Sequence, residues 1–65
     1  MSDRIKELLT GKNIFVILKS SRRYSGIVDD VEMNIVYLTD KFGEPIMFST
    51  TEISSLEIIK DGKQN

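Results

Sequence analysis

The stretch from Leu18 to Leu38, LKSSRRYSGIVDDVEMNIVYL, decides the fold. It reads as the end of one strand, a polar turn at Ser20 and Ser21, a long strand through Gly26, a second turn and a third strand. In its middle, Tyr24, Gly26 and Val28 alternate against Ser25, Ile27 and Asp29. Such a period of two belongs to a strand with two distinct faces. Glycine inside a strand pattern marks a bend or a close backbone approach, and a bend lets one strand serve both halves of a curled sheet. Residues Val31 to Asn34 read as a short turn, and Ile35 to Thr39 as the strand after it.

Upstream, Ile5, Leu8 and Leu9 recur at helical spacing, behind Ser2 and Asp3 as capping residues and ahead of Gly11 as a terminator. A helix is expected over residues 3–10. So short a helix is marginal alone in water, so its apolar stripe must pack on something, most simply the open end of a sheet. Residues 13–19, NIFVILK, are β-branched and aromatic, with apolar side chains on both faces. Downstream, residues 40–45 form a loop with turn chemistry at Gly43 and Pro45. Ile46 to Phe48 make a fourth strand, residues 50–53 a connection with one 3₁₀ turn, and residues 55–60 a fifth strand with Leu56 and Ile58 inward and Ile59 outward. The expected architecture is a single, mainly β domain: a helix at about 3–10, a five-stranded, strongly bent antiparallel sheet forming an open barrel over about 13–60, and a polar tail at 61–65.

Composition narrows the function. The chain has 65 residues, no cysteine and no histidine. It therefore lacks disulfides, thiolate metal ligands and the usual general base. No pair of carboxylates or lysines stands in a recognisable pocket motif, so an enzyme is not expected. No cofactor or metal is expected either: Asp29, Asp30 and Glu32 cluster their carboxylates without the spacing of a calcium loop. The formal net charge is −1, from nine basic and ten acidic side chains, which is not the footprint of a duplex-binding protein. No apolar run is long enough to span a membrane, and the charged start MSDRIKELL does not read as a signal peptide. A cytoplasmic protein is the default expectation.

A domain this small, without a staple, has a marginal core, and a five-stranded open sheet leaves two edges bare. Natural proteins manage such edges. Pairing between copies through the fourth and fifth strands is therefore expected, with Ile46, Met47, Phe48, Leu56, Ile58 and Ile59 at the interface.

The order of elements and several residues resemble the Sm/LSm family, which includes Hfq-type small barrels. The similarity runs from about Leu8 to Ile59: Leu9-Thr-Gly-Lys12 before the first strand, then Leu18 and Lys19, a turn, Arg22, Tyr24 and the bend glycine Gly26, and the pentad Asp30-Val-Glu-Met-Asn34. The resemblance implies an Sm-like (SH3-like) open barrel, a homo-oligomeric ring and single-stranded RNA bound near the pore. By the family's pattern Asn34 contacts a base edge, Asp30 orients it, and a residue between them, such as Met33, stacks on the base. Arg22 and Arg23 are the candidates for phosphate.

Each candidate also has a purely structural reading. Asp30 and Asn34 suit a turn, Arg22 and Arg23 suit a solvated hairpin start, and Tyr24 and Tyr37 suit a core. Two functions are therefore expected as alternatives: a ring that binds RNA, and a barrel that works as a protein-interaction or assembly module without RNA.

Overall fold

The computed structural model describes residues 2–60. The tail expected over 61–65 lies outside the described residues, as do the side chains of Ser2 and Asp3 that were expected to cap the helix. The chain is mainly β. A helix, α1 (Ser2–Leu9), precedes five strands: β1 (Asn13–Leu18), β2 (Arg23–Glu32), β3 (Ile35–Asp40), β4 (Pro45–Ser49) and β5 (Ile53–Ile58). One 3₁₀ turn, Thr50–Glu52, links the last two strands. The strands form one antiparallel sheet in the order β4-β3-β2-β1-β5, not closed into a barrel, so β4 and β5 are its edges.

The alternation in β1 is read directly by the core. Ile14 and Val16 are fully buried and Leu18 nearly so, while Phe15 and Ile17 on the opposite face are half-buried. Val28, Val31, Val36, Leu38 and Phe48 complete the core with Leu9 of α1. Burying each of these apolar side chains stabilises the fold by about 1.5–3 kcal/mol relative to exposure. The ring of Tyr24 stacks on Phe48 with centroids 6.2 Å apart. Helix α1 packs mainly against β2. It ends at Gly11, whose φ of +81° is the left-handed conformation that glycine adopts most readily. The Gly11 N–H then donates to the Val28 carbonyl, and the Val28 N–H to the Lys12 carbonyl, tying the helix exit to the middle of β2.

Gly26 lies where β2 is hydrogen-bonded on both sides, opposite Ile14 of β1 and Asp40 of β3. A Cβ there would overlap the Thr39 carbonyl oxygen and come within 2.8 Å of the Asp40 Cα. The glycine is required by close backbone approach.

Strand β2 is longer than the sequence pattern indicates. Val31 and Glu32 belong to the strand, not to a turn, and Val31 is buried. The reason is a bulge: the register with β3 shifts between Val28 and Asp30. One extra residue there brings Val28 and Val31, three apart, onto the same face. The turn itself is only Met33 and Asn34, with φ of +49° and +69°. Two successive residues at positive φ make the tight hairpin turn whose twist matches its strands. Strand β5 begins two residues earlier than expected and ends at Ile58.

Candidate interaction surface

The sheet's core face is covered by α1 over β2, but not as far as β5. Between α1 and β5 lies an open hollow of about 440 Å³, lined by Ile5, Leu8, Leu9, Thr50, Ile53, Leu56 and Ile58. Six of these seven side chains are aliphatic. Leu9 is buried, whereas Ile5, Leu8 and Ile58 are 38%, 55% and 42% exposed. Two segments distant in sequence build this wall: the helical stripe, and the 3₁₀ turn running directly into the edge strand. It is a continuation of the core that the described residues leave uncovered.

The edge of β5 borders the hollow. The Ile59 N–H donates to the Asn13 carbonyl, which makes residues 13 and 59 a hydrogen-bonded pair in the β1–β5 register. Antiparallel pairs alternate, so Ile14–Ile58 and Val16–Leu56 are non-hydrogen-bonded pairs. The N–H and C=O groups of Leu56 and Ile58 therefore point away from β1, along the free edge. The other edge differs. By the same reasoning from the Thr50 N–H bond to the Asn34 carbonyl, Pro45, Met47 and Ser49 face outward on β4. Pro45 has no N–H to offer, which blunts that edge.

The residues expected to read RNA are not brought together. Asp30 lies within β2, opposite Tyr37; its Oδ1 accepts from the Val31 N–H at 2.8 Å and stands 3.4 Å from the Lys6 ammonium. Among the described residues no hydrogen bond joins it to Asn34, whose positive φ makes it a turn former. Met33, 87% exposed, is at the tip of that turn. Arg22 and Arg23 stand at the opposite end of the ten-residue β2. Arg23 lines a smaller hollow of about 170 Å³ with Tyr24, Lys41, Phe42 and Ile46. Arg22 Nη1 donates to the Tyr24 hydroxyl at 3.3 Å. That bond, with the attraction between the two groups, raises the Arg22 pKa against a small opposing effect of burial. The carboxylates Asp29 and Asp30 are engaged by Thr39 and by Lys6, and no three ligating side chains converge as a metal site among the described residues.

Of the side chains expected at an interface between copies, Phe48 is buried and stacked on Tyr24, so its surface is used within the fold. Met47, Ile58 and Ile59 are exposed, while Ile46 and Leu56 are half-buried. Ile58 and Leu56 line the hollow described above. No described helix is long and apolar enough to cross a membrane.

Fold and surface together define a small, helix-capped, open antiparallel β-sheet with one bare edge beside an uncovered apolar hollow. No family model and no curated protein matches the chain. Its fold is similar to that of a chain in a solved structure described as "Structural basis of the Dcp1:Dcp2 mRNA decapping complex activation by Edc3 and Scd6". The TM-score is 0.74 at 20% identity, over 91% of this chain and 67% of that one. At that identity the likeness establishes the fold alone.

These findings correct the Sm/LSm assignment. The resemblance has no family match behind it, and the similar fold comes from a complex of several different proteins, not from a self-assembled ring. The expected homo-oligomeric ring and ribonucleoprotein role fall with it. The physical reason is visible in the pentad. Its letters match, but a bulge places Asp30 in a strand and the tight turn claims Asn34.

Proposed function

We propose that this chain is a non-catalytic protein-interaction module that takes its place in a heteromeric assembly through the face formed by α1 and β5. The observation that carries this reading is the aliphatic hollow at the bare edge of the sheet, with Ile5, Leu8 and Ile58 exposed around it. A domain of this size has little core to spare, and leaving core-type side chains in water is unfavourable by roughly 25 cal/mol per Å². The similar fold in a structure of the Dcp1:Dcp2 decapping complex supports an assembly role, and a cytoplasmic setting belongs to the same proposal.

The test is native mass spectrometry of the tagged chain purified from its own cells. The wild type is expected at fixed stoichiometry with a different polypeptide. Leu8→Glu and Ile58→Glu, at exposed positions that the fold does not need, are expected as monomers with unchanged circular dichroism. Wild type found only as monomer, or only as multiples of itself, would overturn the reading.

A further inference from the structure

The charge pattern of β5 specifies what kind of strand completes it. Glu57 is the one charged residue in ISSLEI. Its cross-strand neighbour on β1 is Phe15, and among the described residues no cation stands within 4.0 Å of its carboxylate. It lies between Leu56 and Ile58, whose backbone groups face the free edge and whose side chains line the hollow. A strand laid along this edge would therefore meet a fixed sequence of demands. Opposite Leu56 and Ile58 its side chains project into the hollow and are apolar. Opposite Glu57 its side chain projects to the other face, beside an unmatched carboxylate.

We propose that β5 binds an extended segment of a partner protein with an apolar–basic–apolar pattern, added as a sixth strand. This names the partner class for the interaction module above and rests on that reading. Backbone hydrogen bonds to Leu56 and Ile58 supply register, the hollow takes the two apolar side chains, and Glu57 selects lysine or arginine between them. Among the described residues no such strand stands at an edge. The β4 sequence PIMFS has no basic residue, and β5 has none either, so pairing with a second copy leaves Glu57 unmatched. Charge complementarity thus directs the edge to a different chain.

The experiment is a ¹H–¹⁵N titration of the whole chain with the blocked peptide Thr-Val-Arg-Val-Arg-Val-Thr and with its counterpart carrying Glu for both Arg. The expected result is shifts centred on the Leu56 and Ile58 amides and on Leu8. The Arg peptide is expected to bind about two- to tenfold more tightly than the Glu peptide, the span that opposite- against like-charge cross-strand pairs support. Glu57→Lys, at an exposed position, should reverse that preference. No shift at Leu56 and Ile58, or a preference that Glu57→Lys does not reverse, would overturn the proposal. So would shifts at those amides that grow with chain concentration in the absence of peptide, since a second copy would then occupy the edge. A heteromeric complex lost in Leu8→Glu but indifferent to Glu57→Lys would retain the interaction-module reading and discard this one.

Discussion

At the scale of single residues, backbone geometry decides more than side-chain chemistry. Gly26 lies between two strands with the Thr39 carbonyl oxygen where a Cβ would stand, so any Cβ must displace backbone rather than a flexible side chain. Gly26→Ala is expected to destabilise the fold by more than about 2 kcal/mol, the range of overpacking with backbone shift. Urea unfolding checks this, and an unchanged midpoint would show that the strands can separate at no cost. Ser21 is the converse case. It holds φ at +77° in the β1–β2 turn without being glycine, a conformation that costs a side-chain-bearing residue roughly 1–2 kcal/mol. Ser21→Gly is expected to stabilise by about 0.5–1 kcal/mol once the greater unfolded-state freedom of glycine is set against the relieved strain. A lower melting temperature in that variant would mean the Ser21 side chain contributes something the turn geometry does not reveal. The pentad at Asp30 to Asn34 shows the opposite hazard, since identical letters at identical spacing occupy a strand and a turn.

At the scale of elements, the helix and all five strands were legible from periodicity, and so was the close backbone approach at Gly26. What escaped was the bulge near Asp29, because alternation breaks there and the break resembles a strand ending. Met33 at the first position of the tight turn, where Asn or Gly would be the usual signal, hid the true hairpin. The candidate surface was half legible. Ile5, Leu8 and Leu9 were readable as one apolar stripe, but which part would be covered depended on where α1 settles across the sheet. That placement divides the stripe: Leu9 is 6% exposed and Leu8 is 55% exposed. Leu9→Ala is therefore expected to cost about 2–5 kcal/mol as a core truncation. Leu8→Ala should stay within about 0.5 kcal/mol, as surface changes do. Equal losses from thermal unfolding of the two variants would mean that α1 sits differently on the sheet. The Lys6–Asp30 pair adds little to this anchoring, since both side chains are well exposed and such pairs contribute about 0–1 kcal/mol.

At the scale of the whole molecule, an uncovered continuation of the core links stability to binding. The hollow beside α1 is lined by residues of the kind that fill the interior, so a strand seated on β5 enlarges the core and removes a bare edge together. A ligand that binds only the folded state stabilises it by mass action, by about 2.7 kcal/mol at a free concentration 100 times its Kd. For a chain of this size each kcal/mol moves the melting temperature by roughly 4–8 °C, so saturation should raise it by about 10–20 °C. Ile58→Glu separates this coupling from intrinsic stability. Ile58 is 42% exposed, so the isolated variant should melt close to wild type, yet the buried charge it would present to an incoming strand should abolish the rise. Differential scanning fluorimetry with and without the Arg-containing peptide checks both halves. A wild type whose melting temperature is indifferent to the peptide, or an Ile58→Glu variant that is stabilised as much as wild type, would show that the hollow is not where the strand docks. A melting temperature that climbs with the concentration of the chain alone would instead show the edge satisfied by a second copy, the arrangement that the unmatched Glu57 argues against.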